Sequence, residues 1–482
     1  MPHRTGHSPD KGSGNGGSRR AESVDAFATN SWSGSPDAVD RHTVDRIMAG
    51  IREAGVQQVE LQFADVTGAV KTVAIPTRRV QAVLAEGEWF DGSAIEGLAR
   101  EVESDMYLLP DSSTFAIMEP AGVPCARLIC EVLKPNGDPY PGDGRRALHS
   151  LLDQAESAGL GYLVAPEIEF FLFPLGEIGP LADDPSGYFE RSRGRSRTVE
   201  LEIVAALEAL GIRIESSHHE VASGQFELDL PLLPALVAAD TVTTLKSVVK
   251  ELARERGMQA TFMPKPRADA AGSGMHTHQV LVDRAGRSVF DDAADPYGLS
   301  TVARAFLAGQ LEHAPGMCAL VAPVVNSYKR LVPGYEAPVA GSWGRHSRGA
   351  LIRVPTPIRQ QAAMGEVFGT RLELRLPDPS CNPYLAFTAM LAAGLDGLDR
   401  GCELGPPLEE LEHGFGGSGH SVTKPLPASL GEALVALEDD DVITEALGSE
   451  LIELFISAKT LEWEAYRRQV TPWERETYFQ RS

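Results

Sequence analysis

The chain has 482 residues, 43% apolar, 7% aromatic and 23% charged, a composition that excludes a disulfide-stapled mini-protein, a fibre and a disordered chain and provides for two to four domains at about 100–200 residues each. Lys and Arg number 44 against 67 Asp and Glu, a formal net charge of −23. That field repels phosphate backbones and anionic lipid surfaces, so neither nucleic acid nor a membrane is expected as partner.

Residues 1–40 are crowded with Ser, Gly, Pro and charge and bury too little apolar surface to offset the entropy of ordering them, so a disordered tail is expected. The G-x-G-x-x-G match at Gly12–Gly17 inside it follows no strand and opens no helix, so it is not read as a nucleotide loop. From Thr43, a candidate cap, an amphipathic helix runs over VDRIMAGIREAG, and VQQVELQFADVTGAVKTVAIP reads as a hairpin about Asp65–Gly68. CARLICEVL reads as a further strand; turns at Pro135–Pro139 and Pro141–Gly144 then precede the helix RRALHSLLDQAESAG. A boundary near 142 separates an N-terminal domain (43–140) from a larger one (142–482), whose strands and helices alternate without a fixed repeat. Near the end, Ser429 and Glu432 have capping-box spacing, and Leu451, Leu454, Phe455, Ala458 and Leu461 keep helical period.

The five cysteines (Cys125, Cys130, Cys318, Cys381, Cys402) form an odd, scattered set that reads as small buried hydrophobes in a reducing compartment. The longest apolar run, Leu385–Leu395, ends at Asp396, short of the roughly 18 residues of a membrane helix. The N-terminus lacks the apolar core of a signal peptide. A cytoplasmic location is expected.

Four segments carry an ionisable face opposite an apolar one, since residues i and i+2 of a strand share a side. They are PEIEFFLF with Glu167 and Glu169, HHEVASGQFELDL with Glu220 and Glu227 either side of a Ser-Gly turn, GSGMHTHQVLV with His276 and His278, and RLELRL with Arg371, Glu373 and Arg375. Each alone is compatible with a solvated strand face. Together they suggest one cavity in which crowded carboxylates need cations, and carboxylates with an imidazole suit Mg²⁺ or Mn²⁺. Arginines beside such ions suit an anionic substrate and phosphoryl transfer. The chain has no G-x-x-x-x-G-K-[ST] loop, so a nucleotide would be held through metals and arginines.

At these residues the sequence resembles the glutamine synthetase family in its bacterial type I form, over roughly 45–475. The resemblance is carried in family order by FDGSAIEG, ESDMYLLPD, PEIEFFLF, SHHEVASGQFEL, FMPKP with GSGMHTH, NSYKRLVPGYEAP, RLELRLPDPSCNPYLAF and EWEAYRRQVTPWE. It implies an α+β fold: a small N-terminal β-grasp-like domain, and a large catalytic domain with a curved antiparallel sheet flanked by helices. It further implies ligation of ammonia to the γ-carboxylate of glutamate through γ-glutamyl phosphate, with ATP as substrate and two to three divalent ions per site.

Carried over by position, the resemblance makes Glu169, Glu220 and Glu227 the ligands of a metal beside glutamate. Glu167, His276 and Glu373 become those of a metal on the ATP phosphates. Glu215, His278, Arg348 and Arg353 would contact ATP; Gly272, Arg330, Arg375 and Glu336 would hold glutamate, the guanidinium forks matching its carboxylates. Asp91, Tyr188 and Glu336 resemble the ammonium pocket, with Arg348 also serving catalysis and Asp91 contributed by a neighbouring subunit of a dodecamer. Ala94 and Ala271 stand where the family commonly has serine and asparagine, so γ-glutamylation of a polyamine or other amine is the alternative. A catalytically idle binder is the second, disfavoured by the intact ligand set. The tyrosine loop by which some members are adenylylated is not recognisable between Leu404 and Ser421, so that control is not expected.

Overall fold

The computed structural model describes residues 40–95, 105–119, 122–179, 184–333, 337–356, 369–409 and 425–480; the expected tail therefore lies outside the described residues, save Asp40. Helix α1 (Arg41–Glu53) is capped by Asp40 and not, as expected, by Thr43. The Asp40 carboxylate accepts from the Thr43 N–H at 2.9 Å, and the Thr43 hydroxyl bonds back at 3.0 Å from inside the first turn.

The hairpin forms as expected from β1 (Gln58–Ala64) and β2 (Val70–Pro76), and Asp65 Oδ1 closes its turn by accepting from the N–H groups of Thr67 and Ala69. With β3 (Glu88–Asp91), β4 (Asp105–Met118) and β5 (Cys125–Leu133) these strands form a sheet ordered β2-β1-β5-β4-β3. The central pair β1 and β5 is parallel and the rest antiparallel, a β-grasp arrangement. One face is closed by α1 and α2 (Val80–Glu86): Ile47, Ile51, Val80 and Val83 pack with Val59, Leu61 and Leu128 in one cluster. Each such side chain contributes about 1.5–3 kcal/mol by leaving water.

The larger sheet is built on β6 (Gly161–Pro174), β7 (Ser216–His219), β8 (Gln225–Asp229) and β11 (Met275–Val282). It continues through β12 (Trp343–Gly344), β13 (Ile352–Arg353) and β14 (Leu372–Leu374), in the order β12-β13-β14-β11-β6-β8-β7. Two short strands, β9 (Leu233–Pro234) and β10 (Met258–Thr261), pair with β6. One feature departs from the expected antiparallel sheet: β12 and β13 run parallel, which requires residues 345–351 between them to return the chain to the end where β12 began. Helices α3 (Gly144–Ser157), α4 (Gly194–Ala209), α5 (Ala235–Glu255) and α9 (Pro383–Arg400) share the main core with β6.

Helix α9 explains the long apolar run: it is buried along most of its length, and its Gly397 lies so close to Gly309 of α6 (Thr301–Glu312) that a Cβ on either would collide with the other's backbone. The run belongs to a core helix. No described helix is long and apolar enough to cross a membrane. All five cysteines are free, and four of them are buried, as expected of small hydrophobes.

Where the β-grasp sheet meets helices α3 and α5, a buried charge network joins them. Asp143 caps α3 through Oδ1 on the Arg145 N–H and reaches β5 through Oδ2 on the Val132 N–H, both at 2.9 Å. Arg145, 3% exposed, donates to Asp111 of β4 at 2.7 Å and to both oxygens of Asp240 of α5, and Tyr384 of α9 donates to Asp240 at 2.6 Å.

Four C-terminal helices follow: α10 (Leu430–Glu438), α11 (Asp441–Leu447), α12 (Ser449–Arg467) and α13 (Pro472–Tyr478). Ser429 caps α10, but Glu432 reaches back to the Ala428 N–H; the full capping box sits at Thr471 and Glu474. On α12 the expected periodic face is buried at Leu451 and Phe455, whereas Leu461 is 70% exposed because the packed face continues through Lys459 and Trp463 instead.

Candidate active site

The four polar strand faces converge through the register of the larger sheet. Across β6 and β11, Glu167 faces His276; across β6 and β8, Glu167 faces Asp229 and Glu169 faces Glu227. Across β11 and β14, His278 faces Glu373, which is opposed in turn by Arg353 of β13. Because side chains alternate along each strand, these registers stack the ionisable groups on one side of the sheet. All of them except His278 line a cavity of about 520 Å³ together with Glu220, Gly272, Arg330, Arg348 and Arg375.

The cavity holds more negative charge than its arginines balance. Burial first, then Glu169, Glu167, Asp229 and Glu220, push the Glu227 carboxyl up to about 12. Burial and Glu220 raise Glu169 to about 8, against the opposing pull of Arg330. Burial would raise Glu167 as well, but His278 and His276 hold it well below the usual carboxylate range. His276 is itself lowered to about 4, by burial first and then Arg375, so its imidazole is neutral at pH 7 and has a lone pair to offer.

Two sets of ligand atoms each lie within 4.8 Å of one another: Glu167, His276 and Glu373, and His218, Glu227 and Asp229. Oxygen donors with one imidazole in each set, and carboxyls so crowded that a cation would favour their charged form, fit hard divalent ions. The first set coincides with one expected metal shell. In the second, Glu227 keeps company with His218 and Asp229; Glu220 lines the same cavity with its Oε1 3.6 Å from His218 Nδ1, and Glu169 is tied to Gln225 Nε2 at 2.8 Å.

The remaining expected residues divide into three groups. Arg330, Arg348, Arg353, Arg375, Gly272 and Tyr188 line the cavity. Arg330 is locked by hydrogen bonds to the carbonyls of Leu376 and Arg375 at 2.9 and 3.0 Å, Arg353 and Arg375 pair with Glu373, and the Gly272 carbonyl accepts from Gln225. His278, Glu215 and Asp91 do not line it. His278 stands behind Glu167, with Nε2 2.7 Å from Oε1; Glu215 is exposed beside β7, and Asp91 is exposed at the end of β3, capping its own turn through Ser93. Glu336 and the Ala94 side chain lie outside the described residues. Ala271 does line the cavity.

Strand alternation, carried one step further, would have found His218, two residues before Glu220, and Gln225 and Asp229 flanking Glu227. The wall beyond Tyr188 carries no such signal. There Phe189 adopts a left-handed backbone (φ 57°), unusual for a bulky residue. Its ring rests on Tyr188 and His218 with centroids 4.2 and 4.6 Å away. The segment is pinned by buried Asp184, bonded to His219 Nε2 at 3.0 Å and to Ser196.

Comparisons with known proteins identify the family. The family profile described as glutamine synthetase, catalytic domain, matches residues 141–478, and that described as glutamine synthetase, beta-Grasp domain, matches 55–135. Glutamine synthetase of Halobacterium salinarum is 42% identical over 444 residues, covering 90% of this chain and 96% of its own. That of Thermus thermophilus is 43% identical over 450 residues, covering 91% and 99%. Two solved structures, a GmaS/ADP complex in conformation 1 and GmaS without ligand, superpose with TM-scores of 0.78 and 0.79 at 33% and 34% identity, each over 90% of this chain and 99% of theirs. With a two-part profile match and relatives this similar over nearly their whole length, the chain belongs to the glutamine synthetase family.

Proposed function

We propose that the protein ligates ammonia to the γ-carboxylate of glutamate at the expense of ATP, giving glutamine, ADP and phosphate. The observation that carries this reading is the cross-strand register that gathers Glu167, Glu169, Glu227, His276 and Glu373 on one cavity wall beside Arg330, Arg348, Arg353 and Arg375. Two to three Mg²⁺ or Mn²⁺ ions held by Glu167, His276 and Glu373 and by Glu169, Glu220 and Glu227 would neutralise phosphate charge and polarise the γ-phosphoryl group. His218 and Asp229 stand close enough to share in the second set.

The chain's own residues then have separable tasks. Arg330 and Arg375, with Gly272 and Glu336, would hold glutamate; Arg330 is fixed by carbonyls from two neighbouring residues and so needs little reorganisation on binding. Arg348 and Arg353 would stabilise the phosphate as a γ-carboxylate oxygen attacks phosphorus and ADP leaves, with Glu215 and His278 further out about the nucleotide. The nucleophile must be uncharged, so Asp91 would take the ammonium proton beside Tyr188 and Glu336. Nitrogen then attacks the acyl carbon and phosphate departs.

Asp91 lies outside the cavity of its own chain, so in the dodecamer we propose a neighbouring copy would supply it. We divide the chain at 142 into a β-grasp domain (43–140) and a catalytic domain (142–482). Free, mostly buried thiols support a cytoplasmic location. The test is glutamate-dependent phosphate release from ATP, with ammonium compared against putrescine, spermine, ethanolamine and methylamine. Preference for ammonium, lost in Asp91→Ala, is the expected result; preference for a larger amine would make Ala94 and Ala271 marks of a remodelled acceptor pocket, and no turnover with any donor would sustain the idle binder.

A further inference from the structure

We propose that Glu409 is a positioning residue that holds the loop 344–348 in the shape that presents its arginine to the phosphates of the nucleotide, an inference that rests on the ligase reading. Glu409 lies 61 residues from Arg348 in sequence and is not among the residues that line the cavity. Its carboxylate nevertheless accepts from the backbone N–H groups of Arg345 and His346, both at 2.5 Å. Burial favours the neutral acid, but the peptide N–H groups of His346, Glu409 itself, Arg345 and Ser347 hold its carboxyl below the ordinary range. Successive N–H groups pointing to one side form a concavity for an anion, and here the anion is a side chain of the same protein.

The loop is tethered on two sides. On one, the Trp343 indole N–H donates to the Gly405 carbonyl at 2.8 Å, four residues before the Glu409 carboxylate. On the other, the Arg345 guanidinium lies 4.9 Å over the Tyr297 ring and donates to the carbonyls of Tyr297 and Pro296 at 2.8 and 3.2 Å. Arg345 is therefore committed to structure although it borders the cavity, and Arg348, exposed on the same loop, lines the cavity as well. The fit around Glu409 is tight: a Cβ on Gly344 would stand 2.6 Å from Glu409 Oε2, well inside van der Waals contact. Removing the carboxylate frees the N–H groups of 345–347 to turn to water, and the direction of Arg348 changes with them, while the Arg345 tether and the core beneath it stay in place.

Binding of ADP with Mg²⁺ to the full chain, measured by calorimetry, tests this alongside steady-state kinetics and the unfolding midpoint. Glu409→Ala is expected to weaken ADP about tenfold, the loss that follows from removing a charged hydrogen-bond acceptor. It should raise KM for ATP similarly, with KM for glutamate within about twofold of the parent. Glu409→Gln, which keeps one acceptor oxygen, should recover part of the loss. Gly344→Ala approaches the same contact from the other side and should reproduce the nucleotide-selective defect. Parental ADP affinity in Glu409→Ala overturns the inference while the ligase reading stands; so does an equal loss for ATP and glutamate with a collapsed midpoint in both Glu409→Ala and Gly344→Ala. Failure of the parent protein itself to bind ADP overturns both.

Discussion

Glu227 and Glu169 face each other across β6 and β8, and both are about 8% exposed, so the metal-free protein should take up protons as it folds. Their folded values, about 12 and about 8, lie above those of ordinary carboxyls. The stability that protonation contributes is therefore complete below about pH 4.5 and is lost as pH rises, towards 8 for Glu169 and beyond for Glu227. Between pH 6 and 7 each proton held only by the folded state costs on the order of 1 kcal/mol per pH unit. Binding of Mg²⁺ expels the same protons, so its affinity should rise by up to about a hundredfold per pH unit over that window. At about 100 times its Kd the ion adds about 2.7 kcal/mol, and the downward slope with pH should flatten. Glu227→Gln mimics the protonated acid: it should halve the metal-free slope and remove most of the Mg²⁺ stabilisation. The assay is urea unfolding from pH 6 to 8 in chelator and in Mg²⁺, with calorimetry in two buffers to count released protons. A metal-free stability that is flat over this range, or a Glu227→Gln protein stabilised by Mg²⁺ as strongly as its parent, would refute the reasoning.

Arg145→Met should leave Asp111 and Asp240 as buried carboxylates without their guanidinium, a loss of about 3–5 kcal/mol read as a lower urea midpoint; a loss below about 1 kcal/mol would mean that the network contributes little where the β-grasp sheet meets α3 and α5. Phe189→Gly removes a left-handed backbone strain of about 1–2 kcal/mol together with the ring that supports Tyr188, so the midpoint should hold or rise while KM for the nitrogen donor increases severalfold, and an unchanged KM would detach Phe189 from the acceptor wall. His313 is 2.8 Å from Asp440 and 3.0 Å from Asp396; burial would lower its pKa, but these carboxylates raise it above 6.5. The stability it contributes is thus full below about pH 6.5 and is lost as pH rises through the folded value. His313→Gln should abolish that slope in saturating Mg²⁺, where the cavity carboxylates no longer contribute, and an undiminished slope would assign it elsewhere.

Much of the site was legible because strand chemistry is local. Alternation along β6, β8, β11 and β14 marks Glu167 and Glu169, Glu227, His276 and Glu373 without any knowledge of pairing, and the same rule extended by one step marks Gln225, Asp229 and His218. Helix ends were less legible: Asp40 and Thr43 are both good caps, and the choice depends on which one is extended when the first N–H groups need a partner. The long apolar run at Leu385–Leu395 showed burial but not its cause, since the close approach of Gly397 to Gly309 depends on two helices about 90 residues apart.

Residue pattern by itself determined the hairpin about Asp65–Gly68, the ionisable strand faces, the hard-cation character of the site and, through motifs in family order, the family. Tertiary structure alone decided which carboxylates oppose one another, that His278 supports Glu167 from behind instead of facing the cavity, and that Asp91 stays outside it. It also decided that Arg145 ties the β-grasp sheet to helix α5 through Asp111 and Asp240, and that Glu409 clasps a backbone 64 residues away. The reason is physical: alternation and capping are properties of a few consecutive residues, whereas register, burial and side-chain bonds to distant backbone N–H groups depend on which strands and loops become neighbours, and a linear pattern does not carry that information.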